Sequence, residues 1–426
     1  MSIIYNIILA LIKMIAKGAS HLPGGSKMLR FTRGQRRINT RIRRHIKKHP
    51  ITTHPVVWVH CASMGEYAIA RPIIRQIHRQ RDCTVVLTFF SPTGYEALSI
   101  DHPDVDHVFY LPLDTRRNVR RFLKVIDPQV AVFTVSEYWY NYLRALERRR
   151  IPTFLVSARV HEGSIFYHRY GMLHRRCLRR YDTVFVLDDD SRSRLRQLGC
   201  RNVVKTADPL LDNAISRAST PWHDERIDSF IADTPRSDIF IAGSVHDDRD
   251  IEIVAAAVSA NPTMKHIIVP HEVSRRFIDR IISAIGPATA VTLYSAARGE
   301  AASSSNVLIV DTVGILAYIY RYGSYAYVGG GFTPLIHSVI EPAVYGIPVA
   351  FGPRIERQHN PHRLLAMGQG TVVNTPGELC AWISHMTADA ATREEIGIRA
   401  KEAFNVANGT EMIVGRILKS IGEHEA

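Results

Sequence analysis

The sequence predicts an α/β protein made of two parallel-sheet halves, and two observations predict it. Short β-prone runs alternate with helix-length segments from Val56 onward, and the same alternation restarts at Ile239 after an interruption. Regular β/α alternation places the strands in a parallel sheet with helices on both faces. Sheets of this kind bind ligands at the carboxyl ends of their strands, and two similar halves suggest a cleft between them. Composition agrees: 426 residues, 46% apolar and 22% charged, suit a folded chain of two or three domains.

The N-terminal segment is different. Ile3–Ile15 is an apolar run broken by Asn6 and Lys13, too short for the roughly 20 residues of a membrane-spanning helix. On a helix Asn6, Lys13 and Lys17 share one face. Lys13, Lys17, Lys27, Arg30, Arg33, Arg36, Arg37, Arg41, Arg43, Arg44, Lys47 and Lys48 make up most of the formal +14 charge, with no acidic residue before position 51. An interfacial helix followed by a basic arm predicts attachment to an anionic lipid surface. No aromatic residues are interleaved with these charges in a stacking pattern, so nucleic acid is not the expected partner.

The first half then reads as strand Val56–His60, helix Tyr67–Arg79, strand Thr84–Phe89, helix Thr93–Ser99, strand His107–Leu111, helix Arg116–Ile126 and strand Val130–Thr134. It continues as helix Trp139–Arg149, strand Thr153–Val156, a basic helix Tyr167–Arg180, strand Thr183–Leu187 and helix Ser191–Leu198. Pro, Asp and Ser accumulate near 208–235, which predicts a linker. The second half reads as strand Ile239–Ala242, helix Asp250–Ser259, strand His266–Val269, helix Ser274–Ile285, strand Val307–Val310 and helix Ile315–Tyr320. Helices over Glu378–Met386 and Arg393–Leu418 are expected to close it. The expected domains are therefore 1–50, 51–210, a linker at 211–235, and 236–426.

Residues 325–353 organise the second half. A β-prone run meets Gly329-Gly330-Gly331, a helix follows with Ser338 as its expected cap, Gly346 and Pro348 end it, and Val349–Phe351 reads as a buried strand. A loop-to-helix junction of this kind presents N–H groups to an anion, so a phosphate-bearing ligand is expected. Ser338 and Glu341 equally fit a capping box that satisfies the helix's own first turn. Five scattered cysteines, with no Cys-x-x-Cys pair and no His cluster at ligand spacing, read as reduced thiols rather than a disulfide framework or zinc site.

Three motifs sit just after strands: His60-Cys61-Ala62-Ser63-Met64-Gly65-Glu66, Val269-Pro270-His271-Glu272, and Asp311-Thr312-Val313-Gly314-Ile315-Leu316. A carboxylate at a strand-to-helix turn suits a general base, although Glu66 also fits a helix start capped by Ser63. Together and in order, the motifs resemble those of the 3-deoxy-D-manno-octulosonic acid (Kdo) transferases. Residues 60–66 are similar to that family's His-x-x-Ser-x-Gly-Glu, and Ser91-Pro92-Thr93-Gly94 to its Thr-Pro-Thr-Gly. Glu137-Tyr138-Trp139-Tyr140-Asn141 resembles Glu-Leu-Trp-Pro-Asn, and Ser157-Ala158-Arg159 resembles Asn-Ala-Arg. Ala242-Gly243-Ser244-Val245-His246 resembles Ala-Gly-Ser-Thr-His, and the stretch holding His337, Ser338 and Glu341 resembles Gly-Gly-His-Asn-Pro-Leu-Glu-Pro.

The resemblance implies a GT-B fold of two Rossmann-like domains with an N-terminal membrane-associated helix. It implies Kdo transfer from CMP-Kdo to a lipid A precursor at the cytoplasmic face of the inner membrane, with no metal or other cofactor. Glu66 would be the catalytic base. CMP would lie on Pro270 and His271, on Gly314, Ile315 and Leu316, and on Ser338 to Glu341. Further substrate contacts are implied at Ser63, Gly65, Glu137, Arg159, Gly243, Ser244, His246, Gly330, Gly331 and His337. The chain departs from the pattern at Val135, where a further acidic residue is usual, at Leu210, where a basic one is usual, and at Pro270, Ile315 and Ser338. Two other readings fit a chain of this shape: another GT-B enzyme, a UDP-sugar transferase or 2-epimerase, and a non-catalytic membrane-bound lipid-binding scaffold.

Overall fold

The computed structural model describes residues 2–19, 26–98, 104–333, 336–356, 358–404 and 408–425. It divides into two compact units, Met1–Asn213 with Ala407–Ala426, and Ala214–Val406.

In the first unit the strands are β1 (Val56–Cys61), β2 (Thr84–Phe89), β3 (His107–Tyr110), β4 (Val130–Thr134), β5 (Thr153–Ala158), β6 (Thr183–Val186) and β7 (Val203–Lys205). They form one sheet in the order β3-β2-β1-β4-β5-β6-β7, and every pairing is parallel. β1, β2, β4 and β5 are buried at every position, because helices cover both faces of the sheet. On one face Trp58 packs against Phe122, Phe133 and Tyr142. On the other, Tyr67, Ile73 and Ile77 share a core with Ile413, Val414, Ile417 and Ile421.

Those last four residues correct the expected layout of the C-terminus. The single helix expected over 393–418 is two helices, Ala390–Phe404 and Gly409–Glu425, and the second belongs to the first unit. The expected linker is corrected as well: 211–235 carries the helices Pro209–Ser219 and Glu225–Ile231, with Ile227 and Phe230 fully buried. Pro209, just before the segment, begins the first helix. Asp224 caps the second helix by accepting from the Arg226 and Ile227 N–H groups. The expected helix 167–180 shrinks to Met172–Leu178, preceded by two 3-10 turns.

The second unit contains β8 (Ile239–Val245), β9 (Lys265–Pro270), β10 (Val291–Leu293), β11 (Val307–Ile309), β12 (Tyr325–Val328), β13 (Val349–Phe351) and β14 (Gly370–Val372). Their order is β10-β11-β9-β8-β12-β13-β14, again wholly parallel. β7, β10 and β14 were not expected. Each is three residues long, too short to show a period. Strand order reverses between β1 and β4 in one sheet and between β8 and β12 in the other. The crevice outside such a reversal is where open α/β sheets hold ligands.

The basic segment is not a free arm. Helices Lys27–Gln35 and Ile38–Lys48 pack on the first unit, where Ile38 and Ile42 are core residues. The preceding helix, Ser2–Ala19, docks through polar groups: Tyr5 donates to Asp114 at 2.7 Å, and Asn141 donates to Asn6 at 3.0 Å. Its apolar side chains face outward. Ile3, Ile4, Ile7, Ile8, Leu11, Ile12, Met14 and Ile15 are all exposed, while Leu9 is buried. Among the described residues no helix is long and apolar enough to cross a membrane.

Candidate active site

Glu66 lies at the strand reversal of the first sheet. Its helix, Met64–Gln80, starts earlier than expected, so Glu66 sits in the first turn behind the cap Ser63, whose hydroxyl accepts from the Glu66 N–H. Half of a capping box is therefore present. The other half is not, because one Glu66 carboxylate oxygen turns back to accept from the Ala62 N–H at 2.7 Å and from the Thr134 hydroxyl at 2.9 Å. Thr134 ends β4, so this contact ties the first motif to the neighbouring strand.

Burial raises the Glu66 carboxyl, and nearby Glu137 raises it further. The Ala62 and Thr134 hydrogen bonds and His60 oppose them, and the balance leaves it at about 7. Burial and like charge prevail over the helix start, which alone would favour the anion. A base with a value near the working pH combines a sizeable anionic fraction with the driving force to take a proton.

Glu137 is itself enclosed. The Trp139 indole N–H donates to its carboxylate, and the Tyr181 hydroxyl donates to its carbonyl. His60 Nε2 lies 3.2 Å from a Glu137 oxygen, at an angle that does not make a hydrogen bond. His60 Nδ1 is 3.0 Å from the Thr88 carbonyl, which can only accept, so Nδ1 carries a proton. Glu66, half-buried, and the buried Glu137 and His60 thus form a small acid–base cluster. Val135, between them in sequence, is held at φ 61°, a strained conformation for a β-branched side chain. Burial lowers the Arg159 pKa, against the opposing charges of Asp188 and Asp208. A side chain on Gly65 would meet the Ser63 hydroxyl at an ordinary contact distance of 3.8 Å.

The second unit gathers residues at the β8/β12 reversal. Gly330 takes φ 82°, and a side chain on Gly331 would strike the Gly352 backbone, so these glycines answer to local geometry. The Gly330 N–H, expected to face an anion, donates instead to the buried carboxylate of Asp250 at 2.8 Å. The same Asp250 oxygen accepts from the His246 N–H at 2.9 Å, and its other oxygen accepts from the Tyr327 hydroxyl at 2.6 Å. Asp250 therefore joins the loop after β8 to the loop after β12.

The helix expected after Ser338 is a single turn, Ile340–Ala343, with Pro342 inside it, and Ser338 does not cap it. Pro334 and Leu335 lie outside the described residues. The Ser338 hydroxyl is buried with no hydrogen-bond partner, and Glu341 pairs with Arg217 at 3.6 Å rather than with the helix start. The capping box is absent here. A buried orphan hydroxyl asks for a polar partner. Nearby, His246, His271 and His337 each bring a ring nitrogen within 4.8 Å of the other two. Burial and the neighbouring rings lower His337 to about 4, and burial also lowers His271.

Pro270 ends β9 and pairs with Val245. Ser244, at φ 54°, lies within β8 where its register with β9 shifts, one residue before the strand ends. A side chain on Gly243 would meet Tyr320 and Leu316, which places Leu316 against the end of β8. Gly314, at φ 93°, and Ile315 form the turn leading into Leu316–Ile319. Asp250, Thr134 and Tyr327 were not expected as site residues.

Residues 35–210 match the family model described as 3-deoxy-D-manno-octulosonic-acid transferase (kdotransferase). Beyond that stretch too, the chain is similar to the Kdo transferases. It is 26% identical over 355 residues to the 3-deoxy-D-manno-octulosonic acid transferase of Chlamydophila psittaci, covering 80% of each chain. It is 27% identical over 361 residues to that of Bordetella pertussis, covering 81% of this chain and 82% of the relative. These relatives indicate a glycosyltransferase. Among solved structures, the UDP-GlcNAc 2-epimerase from Neisseria meningitidis matches with a TM-score of 0.60 at 12% identity, over 86% of this chain and all (100%) of the other. MurG from Acinetobacter baumannii matches with a TM-score of 0.53 at 15% identity, over 86% and 100%. At such identities the likeness is one of fold.

Proposed function

We propose that the protein transfers Kdo from CMP-Kdo to a lipid A precursor at a membrane surface, with Glu66 as general base. The observation that carries this reading is the Glu66 carboxylate, anchored through one oxygen at a strand reversal and raised to about 7. An acceptor sugar hydroxyl would give its proton to Glu66 as its oxygen bonds to the anomeric carbon of Kdo. The bond from that carbon to the CMP phosphate breaks, and CMP leaves with the electron pair. Donor binding is assigned to the second unit. There the orphan Ser338 hydroxyl and the His271 and His337 rings offer hydrogen-bonding groups to a phosphate or carboxylate, and Gly330 serves the loop's geometry rather than as an anion donor.

Thermal denaturation with CMP, CMP-Kdo and UDP tests the donor. CMP and CMP-Kdo are expected to raise the melting temperature with a concentration dependence that UDP lacks, since a ligand stabilises only the fold it binds. Stabilisation by UDP alone would overturn the reading in favour of a UDP-sugar enzyme.

The outward apolar face of Ser2–Ala19 supports membrane attachment at the cytoplasmic face of the inner membrane. Lys13 lies close enough to Arg117 and Arg121 for their charges, after burial, to lower its pKa, so cations gather beside the apolar stripe. Vesicle sedimentation should show binding to anionic lipid that weakens with salt. Ile4→Asp with Ile8→Asp should abolish it without lowering the melting temperature, because both side chains are exposed. Unchanged sedimentation of the double variant would refute the attachment.

A further inference from the structure

His246, His271 and His337 come from three segments far apart in the chain: the loop after β8, the residue after β9, and the loop after β12. A search for ligands at close spacing misses such a set. Each is held by its backbone. The His246 N–H is bound by Asp250 at 2.9 Å, the His271 N–H by the Val245 carbonyl at 2.9 Å, and the His337 N–H by the Gly329 carbonyl at 3.2 Å. Their ring centroids are 4.2 to 5.3 Å apart, and one nitrogen of each lies within 4.8 Å of the other two.

The closest edge, His337 Nε2 to His246 Nδ1, is 3.5 Å. A tetrahedral ion with metal–nitrogen bonds of about 2.0–2.1 Å spaces its nitrogens roughly 3.3–3.4 Å apart. One edge is already near that length, and side-chain rotation at the exposed His271 can bring in the third nitrogen. The set is all imidazole, with no carboxylate among the three, which suits zinc-class ions rather than magnesium or calcium.

We propose that His246, His271 and His337 form a three-histidine site for a divalent transition-metal ion, with a coordination position left for a water or phosphate oxygen. The site does not depend on which sugar the donor carries. It rests on the convergence of three nitrogens rather than on the transfer reaction.

The test uses the full chain without a histidine tag, treated with chelator and returned to metal-free buffer. Titration with Co²⁺ should give a visible absorption band that saturates at about one ion per chain and is displaced by Zn²⁺, as expected for a site of this class. His271→Ala and His337→Ala should each lose the saturable band while circular dichroism stays that of the folded chain. The absence of a saturable band in the wild type, or a band unchanged in both variants, would overturn the proposal. CMP-dependent melting is measured in parallel in chelator. A CMP shift without a Co²⁺ band removes the metal site and leaves the donor reading, with the three rings serving the donor directly. A Co²⁺ band without any CMP shift does the reverse.

Discussion

Glu66→Gln is expected to slow transfer by about a hundred- to ten-thousand-fold and, at the same time, to raise the melting temperature above pH 7. The two effects have one origin. Glutamine keeps an oxygen for the Ala62 N–H and the Thr134 hydroxyl but cannot take up the acceptor's proton. The wild-type carboxyl is raised from 4.5 to about 7 by burial and by Glu137. Between those values the folded chain holds a proton that the unfolded chain has released. Stability therefore falls as pH rises through this window, and the penalty is complete above about 7. At about 1.36 kcal/mol per pKa unit its upper bound is about 3 kcal/mol. Glutamine carries no such penalty, so the variant should melt higher than wild type at pH 8 and alike at pH 4. The wild-type rate should climb with pH to a plateau above about 7. A variant with wild-type turnover would rule out Glu66 as the base. One that melts lower than wild type at pH 8 would make the carboxylate a structural cap.

The parallel sheets were readable because their central strands are buried on both faces and run apolar without interruption, as in Val56–Cys61 and Thr84–Phe89. The positions of Glu66 and of the glycine loop were readable because each follows a short, fully buried strand. What escaped depends on neighbours distant in the chain. Asp224 and Pro209 look like linker residues until the helices they start are seen to bury Ile227 and Phe230 in one and Leu211 and Ala214 in the other. Ser338 and Glu341 have capping-box spacing, yet the helix is one turn long and Arg217 takes the carboxylate. The first helix reverses the usual sense of amphipathicity, since Tyr5 and Asn6 dock on the protein and the isoleucines face out. A helical wheel finds the stripe but not which side is covered.

Asp250→Ala is expected to destabilise the second unit by several kcal/mol and to remove the response to CMP, whereas Asp250→Asn should do neither. Asp250 is fully buried and accepts three hydrogen bonds, from the His246 and Gly330 N–H groups and the Tyr327 hydroxyl. Alanine leaves all three donors buried without a partner, at roughly 1–3 kcal/mol each. It also frees the two loops that carry His246 and the glycines. Burial raises the Asp250 carboxyl, so a neutral side chain of the same shape is not foreign to the site. The asparagine carbonyl can accept both N–H groups, and its amide can donate to the Tyr327 oxygen once that hydroxyl turns from donor to acceptor. Melting curves with and without CMP for the two variants separate shape from charge. If alanine melts as wild type and still responds to CMP, the two loops are held by something other than Asp250. If asparagine fails as badly as alanine, the negative charge is what the site requires.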